Sequence, residues 1–116
     1  MAQVTINVGL VAGSNPPELH LTDSEGHSGD GNLTTDVSCG GKVVWEIVSG
    51  SGISSIIIAK KSSSQDIFSE DPKVKSDGSW KGTISETATG EESYDIAFIV
   101  DKVGYICDPV LRIKPT

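Results

Sequence analysis

Apolar residues recur at every second position through most of the chain's short runs. Val4, Ile6, Val8 and Leu10 alternate with Gln3, Thr5 and Asn7, a period of two that turns one face of a strand toward a core. The same alternation returns in Leu19 and Leu21, with His20 outward, and in Leu33, Thr35 and Val37. It continues in Val43, Trp45 and Ile47, in Trp80, Gly82 and Ile84, and in Tyr94, Ile96, Phe98 and Val100. Ile53 to Ala59 is apolar enough to predict a central strand covered on both faces.

Turn chemistry separates these runs. Ala12 to Pro17, Cys39-Gly40-Gly41, Ser49 to Gly52 and Thr87 to Glu92 are breaks, and Asp101-Lys102-Val103-Gly104 predicts a hairpin in which Gly104 takes positive φ. Asp108-Pro109 interrupts the last strand, because proline gives no donor to a ladder. Lys60 to Ser79 is the least regular stretch, with one helical turn predicted over Gln65-Asp66-Ile67-Phe68 and Phe68 as its core anchor. No apolar stretch approaches bilayer length, and Met1-Ala2-Gln3-Val4 is not a leader.

The 116 residues suffice for one core, so residues 1–116 are read as a single all-β domain, a Greek-key β-sandwich of about seven or eight strands. Nine Lys and Arg against sixteen Asp and Glu give a net charge of −7, which works against any partner held mainly through phosphates. Nucleic acid and membrane are therefore set aside, and a protein partner is expected. Cys39 and Cys107 are the only cysteines, and they could form one bridge or remain free. Two free thiols favour a reducing, cytoplasmic compartment, with a secreted mature form as the alternative.

Lys42-Val43-Val44-Trp45-Glu46-Ile47-Val48, the anchoring Phe68, Trp80-Lys81-Gly82-Thr83-Ile84 and the closing hairpin into Val110-Leu111-Arg112-Ile113-Lys114 together resemble the cupredoxin family. An immunoglobulin-like sandwich is the other arrangement compatible with the pattern. The resemblance implies a fold and, in that family, a copper held by two His, a Cys and usually a Met. Here no His follows Val48 and the only Met is Met1, so neither copper nor any other cofactor is expected. The same resemblance gathers the Ala12–Pro17, Ser49–Gly52 and Asp101–Cys107 loops at one end, where Asn15, Ser51, Lys102 and Tyr105 form the candidate binding surface.

Other constellations have ordinary readings beside their chemical ones. Asp23, Glu25, His27 and Asp30, in the loop that ends at Asn32, offer oxygen and imidazole donors for weak Ca²⁺ or transition-metal binding, or else form a solvated acidic loop. Cys107 has no His in its region to activate it, and fits a small buried thiol. Glu91, Glu92, Asp95, Asp101 and Asp108 are read as solvated edge charges, since paired acid and base need a cleft. Trp45 and Trp80 sit on apolar sides and belong to the core rather than to a sugar platform. With no triad, metal trio or phosphate loop, the chain is read as a binding module and not an enzyme.

Overall fold

The computed structural model describes residues 3–11, 13–14, 16–29, 33–60 and 67–113. Two sheets face one another in a sandwich. The first has the order β3 (Ser28–Gly29), β2 (Leu19–Asp23), β1 (Gln3–Leu10), β5 (Lys42–Ile47), β8 (Trp80–Ile84) and β7 (Phe68–Val74). The second holds β6 (Ile53–Lys60), β9 (Glu91–Val100), β10 (Val103–Cys107), β11 (Val110–Ile113) and β4 (Thr34–Val37). Among the described residues, no helix is long and apolar enough to cross a membrane.

Among the described residues eleven strands stand where fewer were expected, for three local reasons. β3 is a two-residue bridge. β10 and β11 keep one register against β9, with Cys107 opposite Ile96 and Val110 opposite Ser93, so they are a single lane cut at Asp108-Pro109. The cut is shallow, because the Pro109 carbonyl still accepts from the Tyr94 N–H at 3.1 Å. β7 is the third, and it replaces the helical turn expected around Phe68; Gln65 and Asp66 lie outside the described residues. Its pairing with β8 is irregular on both sides of Glu70, and Pro72 sits inside it, as an edge strand permits.

The inward positions of both sheets interlock. Val4, Ile6, Val8, Leu21, Trp45, Ile96, Phe98 and Leu111 are all buried. Trp45 donates its indole N–H to the Tyr94 hydroxyl at 3.0 Å, with the rings edge to face at 5.5 Å. Trp80, half buried beside Trp45, donates to the Ile56 carbonyl at 3.0 Å. Each indole therefore ties the first sheet to the second. Phe68 is the core anchor expected of it, and it explains Gly82: a Cβ there would meet the Phe68 ring at 3.1 Å and Pro72 at 3.3 Å.

Three readings of the sequence change. β6 is not central: it pairs with β9 alone among the described residues, and a register shift between Ile53 and Ser55 leaves Ser54 and Ser55 outward and Ile57 exposed. Gly104 has no positive φ; Asp101 at 50° and Lys102 at 68° form a two-residue turn between the paired Val100 and Val103. Glu92 is no solvated edge charge, being only 2% exposed on the face it shares with Tyr94 and Ile96. Its parity along β9 sends it inward.

Candidate functional site

Two turns meet at one end as expected, but Val103–Cys107, expected to belong to a third loop there, is strand β10 and runs away from it. The Val48 N–H donates to the Val8 carbonyl, Gly52 lies against Leu10, and Ile53 pairs with Val100. The β5–β6 turn with Ser51 and the β9–β10 turn with exposed Lys102 thus share one end, while Asn15 lies outside the described residues. Tyr105 sits apart from them, along β10, its ring stacked on Phe98 at 5.4 Å. Lys102 is held at a positive φ that costs a non-glycine residue on the order of 1–3 kcal/mol.

From that turn an apolar strip runs down the outside of the second sheet. Ile57 pairs with Ala97 and Ala97 with Ile106, so the three stand side by side across β6, β9 and β10. Ile57 is 52% exposed and Ile106 69%. Ile99 lies one step along, opposite Gly104. Among the described residues β10 pairs with β9 only, and β4 covers that side of the lane from Val110 onward. In a two-residue hairpin the pair flanking the turn is hydrogen-bonded, so Val103, Tyr105 and Cys107 bond inward to β9. The N–H and C=O groups of Gly104 and Ile106 therefore point away from the sheet.

Sequence reasoning misses that edge, because Ile106 has the parity opposite to Tyr105 and Cys107 and draws no notice alone. Its signal in the sequence is the five-residue run Val103 to Cys107, which has no Lys and no Pro to guard it.

At the other end, Asp23 organises the loop expected to be a candidate cation site. Its side chain is fully buried. Oδ1 accepts the N–H groups of Glu25 at 2.9 Å and His27 at 3.0 Å, and Oδ2 accepts the Thr35 hydroxyl at 2.8 Å. The His27 ring lies between Asp23, at 3.1 Å, and Asp36, at 3.6 Å; Arg112 donates to Asp36 at 2.7 Å. The carboxylate is thus engaged in pinning the β2–β3 hairpin. Asp30 and Asn32 lie outside the described residues, and among those described no group of three His, Cys, Asp or Glu side chains is arranged to hold a metal ion.

The outer face of the first sheet is cationic. Lys42, Lys73, Lys75 and Lys81 line a shallow cleft of about 380 Å³ with Glu70 and Asp71. Asp71 pairs with Lys60 at 2.9 Å, and Glu70 accepts from the Thr83 hydroxyl at 3.2 Å. Lys42 above all, then desolvation and Lys75, lower the pKa of Lys81. Four of the nine basic residues sit here, so the remaining surface is more acidic than the net charge alone conveys.

A family model described as "Domain of unknown function (DUF8788)" matches residues 3–105. The chain belongs to the DUF8788 family. No curated protein matches its sequence. Among solved structures the DUF8788 domain is similar to an endo-fucoidan hydrolase, MfFcnA4_H294Q, from glycoside hydrolase family 107, at 13% identity and a TM-score of 0.44. The alignment spans 97% of this chain and 24% of that one, a likeness too slight to bear on activity.

The cysteines of the DUF8788 domain form no disulfide. Cys39 donates its thiol to the Ala88 carbonyl at 3.2 Å. Burial first, then Asp108 and Asp95, push the Cys107 thiol up to about 12, the opposite of what a nucleophile needs. At pH 8 native Cys107 is expected to alkylate on the order of 10²–10³-fold more slowly than in the unfolded chain, as followed by mass spectrometry with iodoacetamide. Matching rates would show an accessible thiolate. Because the folded state holds this proton more tightly, the associated stability is complete below about pH 9, the ordinary thiol value, and is lost as pH rises toward about 12.

Proposed function

We propose that the DUF8788 domain is a non-enzymatic, protein-binding module that takes up an extended segment along the open edge of β10. The observation that carries this reading is the edge itself: an uncharged lane, unpaired on its outer side among the described residues, with Ile106 exposed beside it. Strand addition draws affinity from main-chain hydrogen bonds, here at Gly104 and Ile106, and selectivity from alternate side chains. Ile57, Ala97 and Ile99 extend an apolar floor next to that lane, where a partner's outward side chains would lose water. The reading needs no cofactor. It treats the cupredoxin-like frame as a scaffold put to use without copper.

Peptides selected from a displayed library on the intact domain provide the test, with Ile106→Pro as the discriminating variant. That change deletes one outward N–H and leaves the β9 ladder in place. Selected peptides are expected to lose roughly tenfold or more in affinity for the variant, while its melting temperature stays close to that of the parent. Equal affinity for both proteins would sink the proposal.

A further inference from the structure

Resting on that reading, we infer that the segment taken up is β10 of a second copy of this chain, paired antiparallel about a twofold axis at Tyr105. Consider the charges that bracket the strand. Val103 to Cys107 carries none, Lys102 precedes it, Asp108 follows it, and both are exposed. Antiparallel pairing centred on Tyr105 sets Lys102 of each copy opposite Asp108 of the other, so the one contact is made twice, as a twofold interface requires. Centring on Gly104 or Ile106 instead would leave both charges facing apolar or glycine positions. Parallel pairing in register would oppose Lys102 with Lys102.

The backbone agrees with this register. Gly104 of one copy then faces Ile106 of the other, and these are the residues whose N–H and C=O groups point outward. Each such pair exchanges two hydrogen bonds. Side chains fit as well: Gly104 has open space where a Cβ would stand, so Ile106 of the second copy can lie over it. Because Gly104 pairs with Ile99 within its own sheet, the apolar strip of one copy continues into that of the other. The length also matches. Each β10 ends in the two-residue turn at Asp101-Lys102, which stops the incoming strand at Asp108, before β4 takes up the edge at Val110.

Sedimentation equilibrium on the full chain from roughly 1 µM to 1 mM should show a monomer–dimer equilibrium that weakens as salt is added. Lys102→Glu and Asp108→Lys should each dimerise at least about tenfold more weakly, since each turns two attractions into repulsions. An equimolar mixture of these two variants should recover the dimer. The glutamate introduced in one copy then meets the lysine introduced in the other, and the unchanged Asp108 of the first meets the unchanged Lys102 of the second. A wild-type chain that stays monomeric throughout, or a mixture no tighter than either variant alone, overturns self-pairing. If the chain is monomeric yet selected peptides still depend on the Ile106 N–H, self-pairing fails and strand addition stands. If Ile106→Pro changes neither dimer nor peptide binding, both fail.

Discussion

Trp45→Ala is expected to remove about 3–5 kcal/mol of stability, the usual cost of emptying a buried tryptophan site. Trp45 has no exposed surface, and it sits where β1, β5 and β8 meet the inner face of β9. Two losses combine. The cavity forfeits dispersion contacts on every side, and the Tyr94 hydroxyl, itself 1% exposed, loses the indole donor that spans the sheets. Folded domains hold roughly 5–15 kcal/mol in all, so this one change removes a large fraction of the total. Tyr94→Phe separates the terms: it keeps the ring and strands the Trp45 N–H, for an expected cost of about 1–3 kcal/mol. Urea unfolding followed by tryptophan fluorescence measures both, and a loss below about 1 kcal/mol for Trp45→Ala would show that the sheets are held together elsewhere.

Asp23→Ala is the second large effect, expected at about 3 kcal/mol. The carboxylate satisfies two backbone N–H groups and the hydroxyl of Thr35, which is 1% exposed, and alanine would leave that hydroxyl without this partner in the core. Asp23→Asn keeps an acceptor for Glu25 and His27 and an amide that can donate to the Thr35 oxygen, so it should cost only about a third as much. Hydrogen exchange of β3 should rise in both variants, more steeply in the alanine one. The same network bears on the cation reading of this loop. With its oxygens engaged inside the hairpin, Asp23 has little to offer an ion, and Ca²⁺, Zn²⁺ or Cu²⁺ is expected to leave the melting temperature of the native domain unchanged. A saturable rise that disappears in Asp23→Asn would restore the metal reading.

The inside and outside of β1, β5 and most of β9 were legible residue by residue. Val4, Ile6 and Val8, or Tyr94, Ile96 and Phe98, leave no freedom, because a slip of one position would put every one of them in water. Even buried Glu92 was readable in this way, by extending the Tyr94 parity two residues back; its charge drew the eye to solvent instead. The break at Asp108-Pro109 was legible for a covalent reason, the missing donor of proline. That Ser51 and Lys102 share one end of the molecule was an implication of the family resemblance, not of any residue pattern. Asp23 was noticed as a possible ligand, but its hydroxyl partner lies twelve residues away on β4, and nothing local announces that pairing.

Alternation thus determined an all-β chain, the facing of its strands and the place where its last lane is cut. Lateral neighbours were decided only by the tertiary structure. Ile53 to Ala59 has the apolar content of a central strand and pairs with β9 alone among the described residues; Phe68 to Val74 looks irregular and is a strand, because β8 supplies a ladder that bulges around Pro72. The side of β10 left unpaired among the described residues is of the same kind, since it depends on β4 pairing with β11 from Val110 onward. Side-chain parity is set by the pleat of each strand alone, whereas the choice of neighbour balances the closure of long loops against the burial of both sheets at once. The proposed docking edge lies in that second category.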